Sequence, residues 1–192
     1  CGTAASLCGV EAATYEGDAI KLERAIACDL MLHAWMLTQS GIPVLYSGDE
    51  IGQFNDYSYH EDPEKREDSR YIHRGDFQWD LAEMRHDTAT RQGKQFEGLR
   101  RMEMLRASEP VFDAKATVWT FDTGSPHVLG VGRWLHGHKL IAFFNFCPEF
   151  QHVSSWEKGP YDELMYGGHR DDLNDVELYP FGFAWFLHIE EV

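Results

Sequence analysis

The sequence predicts two kinds of structure in succession: an α/β first part over residues 1–109 and an all-β antiparallel sandwich over residues 110–192. Three observations carry this. A run with helical period, residues 18–40, leads into a short apolar run, residues 42–47. The apolar residues of that second run do not alternate with polar ones, as a parallel strand buried on both faces requires. It ends in a Gly-carboxylate-carboxylate-x-Gly turn, Gly48-Asp49-Glu50-Ile51-Gly52, and opens into a long polar loop. From Pro110 onward the texture changes to short β-rich runs separated by Gly-centred turns, the pattern of an antiparallel sandwich.

Each element has a local reason. In residues 18–40, Leu22, Ile26, Leu30, His33 and Leu37 recur at intervals of three and four, which predicts a helix. Asp18 can cap its start, and Gly41-Ile42-Pro43 stops it. Residues 42–47 read as the strand, with Pro43 tolerated near its first position. The loop from Gly48 to about Asp87 has no clear period; a loop of this length is usually functional, and short helical turns are expected to divide it, for instance over residues 63–68. Residues 90–107 read as a second helix, with Phe96, Leu99, Met102 and Leu105 or Arg106 along one stripe and with Gly93 and Gly98 counting against it. Seven strands are expected beyond Pro110, over residues 116–121, 128–134, 140–146, 151–155, 161–165, 176–178 and 184–189.

The composition excludes several classes of function. Seventeen basic and thirty-two acidic residues give a net charge of −15. Such a surface repels phosphate backbones and anionic lipid, so nucleic acid and membrane are not expected partners, whereas a neutral sugar is unaffected. No apolar run is long enough to span a bilayer. The four cysteines, Cys1, Cys8, Cys28 and Cys147, match no zinc spacing. Cys28 and Cys147 read as buried thiols, and this cysteine usage favours a reducing cytoplasm. The ten histidines form no three-ligand zinc set, so no metal and no cofactor is expected.

The candidate chemistry lies in the loop. Asp49 and Glu50 are adjacent, and neighbours on an extended segment point to opposite sides. A glycosidase pair must face one bond from two sides, so the reading that one carboxylate turns inward and the other caps the loop is the better one. Asp68-Ser69-Arg70 and Asn55-Asp56-Tyr57 offer more. Arginine presents a rigid fork of donors for a carboxylate or for sugar hydroxyls, and Asn, Asp and an aromatic ring complete a sugar-gripping set. By composition alone, a solvated loop has the stronger claim. In the second part, Trp119, Trp134, Trp156 and Trp185 fit core positions better than sugar platforms.

The wording of the first half resembles one family. Residues 42–57, followed by Asp68-Ser69-Arg70-Tyr71-Ile72-His73-Arg74, are similar to the eighth barrel strand and following loop of the α-amylase family of glycoside hydrolases, most nearly its amylosucrase and sucrose hydrolase branch. Cys1-Gly2-Thr3-Ala4-Ala5 resembles the segment after the seventh strand, and Tyr179-Pro180-Phe181-Gly182-Phe183-Ala184-Trp185 resembles the closing sandwich. The family pattern carries Asp and Trp where this chain has Glu67 and Tyr71.

The resemblance implies a fold and a role. Residues 1–109 would be the last βα part of a TIM barrel (helix seven, strand eight, a long loop, helix eight), and residues 110–192 its C-terminal sandwich. A whole (β/α)8 barrel needs about 250 residues, so the chain would be the end of an enzyme that moves glucose from sucrose or an α-glucan. The nucleophile, the acid/base and the stabilising aspartate would all precede Cys1, leaving no catalytic residue here and an inactive chain. Arg70 would be a glucosyl-pocket residue paired with a carboxylate from an early barrel loop; Asp56 and Asn55 would shape the acceptor side. The remaining barrel would be the partner of residues 42–47, whose open edges invite self-association when it is absent. Two other readings stay open: a carbohydrate-binding or structural sandwich module, and an α-glucosidase or α-amylase parent.

Overall fold

The computed structural model describes residues 1–190. These fall into two compact units. One comprises residues 1–30 and 44–99; the other comprises residues 31–43 and the chain from Arg100.

The first unit opens with two short helices that the sequence analysis did not anticipate, α1 (Ala4–Leu7) and α2 (Val10–Glu16). Thr3 caps α1 by accepting from the Ser6 N–H, and left-handed Gly9 turns the chain into α2. Next comes α3 (Ala19–Thr38), whose later residues belong to the second unit. Asp18 caps it as expected, accepting from the N–H groups of Ile20 and Lys21 at 3.1 and 3.0 Å. Ala5, Val10, Ala25 and Ile26 form one buried cluster, joined by Leu22, Leu30 and Phe54. Asp29 is fully buried and accepts from the Gln95 amide at 2.8 Å. The partner helix is α5 (Arg91–Ser108). Its two glycines are positions of close approach: a Cβ on Gly93 would lie 2.0 Å from the Asp87 carbonyl, and one on Gly98 would lie 2.8 Å from Leu30.

The expected strand at residues 42–47 is not formed. The segment is extended but pairs with nothing, and Ile42, Val44 and Tyr46 are exposed, Ile42 by 91%. A parallel strand exists only against a neighbour, and no other segment of the described residues supplies one.

Among the described residues the second unit holds eight strands. They are β1 (Thr117–Phe121), β2 (Val128–Leu135), β3 (His138–Asn145), β4 (Gln151–Val153), β5 (Lys158–Glu163), β6 (His169–Asp172), β7 (Val176–Leu178) and β8 (Phe183–Ile189). Six form an antiparallel sheet in the order β1-β2-β3-β8-β5-β6, and β4 pairs with β7. Of the eight, β6 was not expected, because its His-Arg-Asp-Asp sequence carries no apolar signal. The two-residue hairpin between β2 and β3 uses His136 and Gly137 at positive φ, 48° and 82°, as a tight right-twisted turn demands. On β2, Gly130 and Gly132 stand opposite Phe121 and Trp119; a Cβ on Gly132 would lie 2.1 Å from the Trp119 ring. The core between the sheets joins Ile141, Phe143, Tyr161, Ala184 and Phe186 of the large sheet to Val153, Val176 and Leu178 of the ribbon. Trp185 is buried and Trp119 packs against this core, but Trp134 and Trp156 are exposed, Trp156 by 88%, contrary to the expectation that all four tryptophans are core.

The opposite face of β3 is also buried, with Leu140, Ala142 and Phe144 all inaccessible. It packs by the 3₁₀ turn Pro110–Phe112, where Phe112 meets Trp185 at a ring separation of 4.9 Å. One buried side chain fastens this region. Arg133 on β2 donates from Nε to the Val111 carbonyl at 2.8 Å, from Nη1 to the Thr38 carbonyl at 2.6 Å and from Nη2 to the Asp113 carbonyl at 2.8 Å. Burial first, and then the neighbouring Arg106 guanidinium, push its pKa down to about 10, against the pull of Asp113. Arg106 donates to the carbonyls of Leu37 and Gly41. Two arginines thus satisfy carbonyls that the end of α3 leaves open. Replacing Arg133 by Met strips the donors from three carbonyls at once, so a loss of about 3–5 kcal/mol is expected. A thermal melt checks this: Arg133→Met should melt roughly 10 °C lower, and an unchanged melting temperature refutes the role.

Candidate functional site

The loop after Gly48 is built from short turns. The 3₁₀ turns Asp49–Ile51, Tyr57–Glu61 and Ser69–His73 are followed by α4 (Trp79–Ala82) and a last 3₁₀ turn, Glu83–His86. Two begin with an aspartate cap: Asp56 accepts from the Ser58 N–H at 2.9 Å, and Asp68 accepts from the Arg70 N–H at 3.0 Å. Aspartate favours this local bond over regular structure.

The base of the loop is closed by bonds to backbone. The Asp56 N–H donates to the Ile72 carbonyl at 2.7 Å. The buried Gln53 amide donates to the Asp76 carbonyl and accepts from the Gln78 N–H, both at 3.2 Å. Gly75 passes so near Asp56 that a Cβ there would lie 2.7 Å from the Asp56 Cβ. Arg91, on the first turn of α5, donates to the carbonyls of Gly52 at 2.6 Å and Ile51 at 3.3 Å, and its guanidinium lies 3.9 Å from the centroid of the Phe54 ring. Burial lowers its pKa.

Each residue singled out from the sequence now has a place. Asn55 is turned toward α1: its Oδ1 accepts from the Thr3 N–H at 2.9 Å, its own N–H donates to Ser6 Oγ at 3.1 Å, and its Nδ2 donates to the Tyr57 hydroxyl at 3.2 Å. Asp56 lines a small concavity of about 120 Å³ with Ser58, Tyr59, Lys65, Tyr71 and Arg74. Arg70 lies on the exposed surface, and its fork is filled from within the loop: Nε donates to Asp68 Oδ1 at 2.8 Å, and Nη2 donates to Asp68 Oδ2 at 2.7 Å. That bidentate bond, with the Arg70 backbone N–H, holds the Asp68 carboxyl down at about 2. Neither Arg70 nor Asn55 lines the Asp56 concavity.

Asp49 and Glu50 serve the turn. Asp49 accepts from the Tyr46 N–H at 3.0 Å and Glu50 from the Gly48 N–H at 2.8 Å. Glu50 also lines a larger cavity of about 380 Å³, together with Phe77, the exposed Trp79, Glu83, Arg85 and Phe96. This concavity pairs aromatic faces with carboxylates and a guanidinium, and it is absent from the sequence reading because its residues are scattered over residues 47–96. Arg91 and Gln53 were also missed. Arg91 carried a signal: a cation on the first turn of a helix opposes the macrodipole, so something other than helix stability holds it there. Among the described residues, no group of three or more His, Cys, Asp or Glu is placed to hold a metal ion, and no helix is long and apolar enough to cross a membrane.

No protein-family model matches the chain. Solved structures do. The trehalulose synthase MutB from Pseudomonas mesoacidophila MX-45 matches with a TM-score of 0.65 at 18% identity, over 84% of this chain and 38% of that one. AmyP in complex with maltose matches with a TM-score of 0.63 at 16% identity, over 85% of this chain and 34% of that one. A maltogenic amylase from S. marinus matches with a TM-score of 0.57 at 17% identity, over 84% of this chain and 19% of that one. The fold is that of the C-terminal region of α-amylase-family enzymes. The chain spans less than two-fifths of the length of these matched chains. A helical first part followed by antiparallel sheets is thereby shown, and the likeness at these identities is one of fold.

Two outcomes are expected from this geometry. Arg91→Ala removes two hydrogen bonds and a cation–π contact, so proteolytic cleavage within residues 57–74 should speed up by about tenfold; an unchanged cleavage rate shows that the loop does not depend on Arg91. The Asp68 carboxyl lies below its ordinary value, so the fork with Arg70 is complete above about pH 4 and is lost as pH falls through about 2. A carboxyl NMR titration should place Asp68 at about 2 and return it toward its ordinary value in Arg70→Ala.

Proposed function

We propose that this chain is part of a retaining α-glucosyl-transferring or hydrolysing enzyme that acts on sucrose or an α-glucan, in the manner of amylosucrase. The observation that carries the reading is the exposed Arg70 fork, aimed by Asp68 and set on a loop whose base is pinned by Gln53 and Arg91, on a fold shared with α-amylase-family enzymes. Arg70 contributes donors to the glucosyl pocket; Asp56 and Asn55 shape the acceptor side. The chain's part is to bind and shape the pocket. The attacking and protonating carboxylates come from the remainder of the barrel, because Asp49 and Glu50 are spent on backbone N–H groups. The exposed row Ile42, Val44 and Tyr46 is where that remainder would add a strand on either side, and where the chain alone would self-associate. A cytoplasmic setting suits the four unbridged thiols.

A second reading has its own observation. Phe150 and Tyr179 are exposed on the second unit with rings 5.0 Å apart, and Trp156 and Tyr166 are more exposed still. Such faces stack on sugars, which suits a carbohydrate-binding sandwich module.

Turnover and binding separate the two. Incubated with sucrose or maltooligosaccharide, the 192-residue chain should release no glucose, whereas turnover near 1 s⁻¹, about the lower end of the usual enzyme range, would mean a complete active site. In the longer enzyme, Arg70→Ala should cut sucrose turnover by about a hundredfold or more; activity within a few-fold of wild type sinks the Arg70 assignment. Retardation of the chain in a glucan gel, abolished by Phe150→Ala with Tyr179→Ala, favours the binding module.

A further inference from the structure

Cys8 and Cys28 stand together in the first unit, and nothing in the sugar reading uses them. Cys8 caps the end of α1 and Cys28 lies within α3. Their flanking residues are packed against each other: Ala5 and Val10 share one buried cluster with Ala25 and Ile26. Gly9 approaches α3 so closely that a Cβ there would lie 4.0 Å from the Ala25 Cβ. These contacts bring the side chains of Cys8 and Cys28 close enough to act on each other. Both cysteines are partly exposed, where the sequence analysis expected Cys28 to be buried. The other two are engaged elsewhere: Cys1 accepts from Ser69 Oγ at 4.0 Å, and Cys147 donates to the Glu149 carbonyl at 3.6 Å in the second unit.

We propose that Cys8 and Cys28 are a redox-active dithiol that closes to an intramolecular disulfide on meeting a small-molecule disulfide such as oxidised glutathione. The pair is asymmetric, and this sets the order of events. The interaction with Cys28 pushes the Cys8 thiol up, and the interaction with Cys8 lowers Cys28 despite burial and the neighbouring Asp29 carboxylate, which both act to raise it. The Cys28 thiolate attacks one sulfur of the oxidant; the oxidant's S–S bond breaks, and one glutathione thiolate leaves and takes up a proton. Cys8 then loses its proton to solvent and attacks the Cys28 sulfur, expelling the second glutathione. Two protein thiols are oxidised by two electrons, and one glutathione disulfide is reduced to two thiols.

The bridge would fasten the end of α1 to α3. Thr3 and Ser6, at the start and in the body of α1, are the groups that hold Asn55, so the redox state of the pair is felt at the root of the loop that carries Asn55 and Asp56. This holds whatever sugar the loop serves.

The test is to incubate the reduced chain with oxidised glutathione, alkylate the remaining thiols, digest and analyse by mass spectrometry. The expected product is a Cys8–Cys28 peptide pair lighter by two hydrogens and restored by dithiothreitol, with Cys1 and Cys147 not bridged to either. Cys8→Ser should halt at a glutathione adduct on Cys28, and Cys28→Ser should slow modification of Cys8 by about tenfold or more. The proposal is overturned if both thiols of the wild-type chain remain alkylatable when exposed Cys1 is already converted, or if either one bridges to Cys1 or Cys147. The wild-type measurement decides even if a serine variant does not fold.

Discussion

The C-terminal end of α3 is the constraint on which the second unit depends. A helix ends with carbonyls that have no partner of their own, and burying them bare is costly. Here Arg106 answers Leu37 and Gly41, and Arg133 answers Thr38. Arg133 spends its other donors on Val111 and Asp113, so one guanidinium ties β2, the end of α3 and the turn between α5 and the sheet. Phe112 lies beneath both cations, each 5.9 Å from its ring centroid, and carries the apolar contact to Trp185. Burial first, and then repulsion between these two like charges, lower the pKa of Arg133. Asp113 and the three accepting carbonyls act against it.

The loop follows the same logic with different groups. Its anchors, Gln53 and Arg91, act on main-chain atoms. Its displayed groups, Arg70 and Asp68, act on each other. Anchoring and display are therefore carried by separate residues, and the displayed fork is held in one orientation before any ligand arrives, which lowers the entropy lost on binding.

What could be read from the sequence was what depends on near neighbours. Helices α3 and α5 were legible from the spacing of Leu22, Ile26 and Leu30 and of Phe96, Leu99 and Met102, and the Asp18 cap was legible from position alone. The glycines of α5, which counted against it, are explained only by what they touch, Asp87 and Leu30, and contact is not written in a linear pattern. The same limit accounts for residues 42–47. Their β-like composition was real, but a strand is a relation between segments. In the opposite sense, β6 is polar throughout and becomes a strand only because β5 offers it an edge. At the candidate site, the fork of Arg70 was legible as a donor set, while its filling by Asp68, two residues earlier, and the burial of Arg91 over Phe54 were not.

The closure of the loop at its base has an evolutionary consequence. The bonds that shut it run from Gln53, Asp56 and Arg91 to main-chain atoms at positions 51, 52, 72, 76 and 78. Main-chain atoms are the same whatever side chain a residue carries. Exposed side chains within residues 57–71 can therefore change without opening the base, whereas Tyr59 is buried and bound to the fold of the first unit. A scaffold of this kind separates heritable stability from heritable selectivity: new ligand preferences can arise by change in the enclosed segment, whereas change at Gln53, Gly75 or Arg91 opens its base.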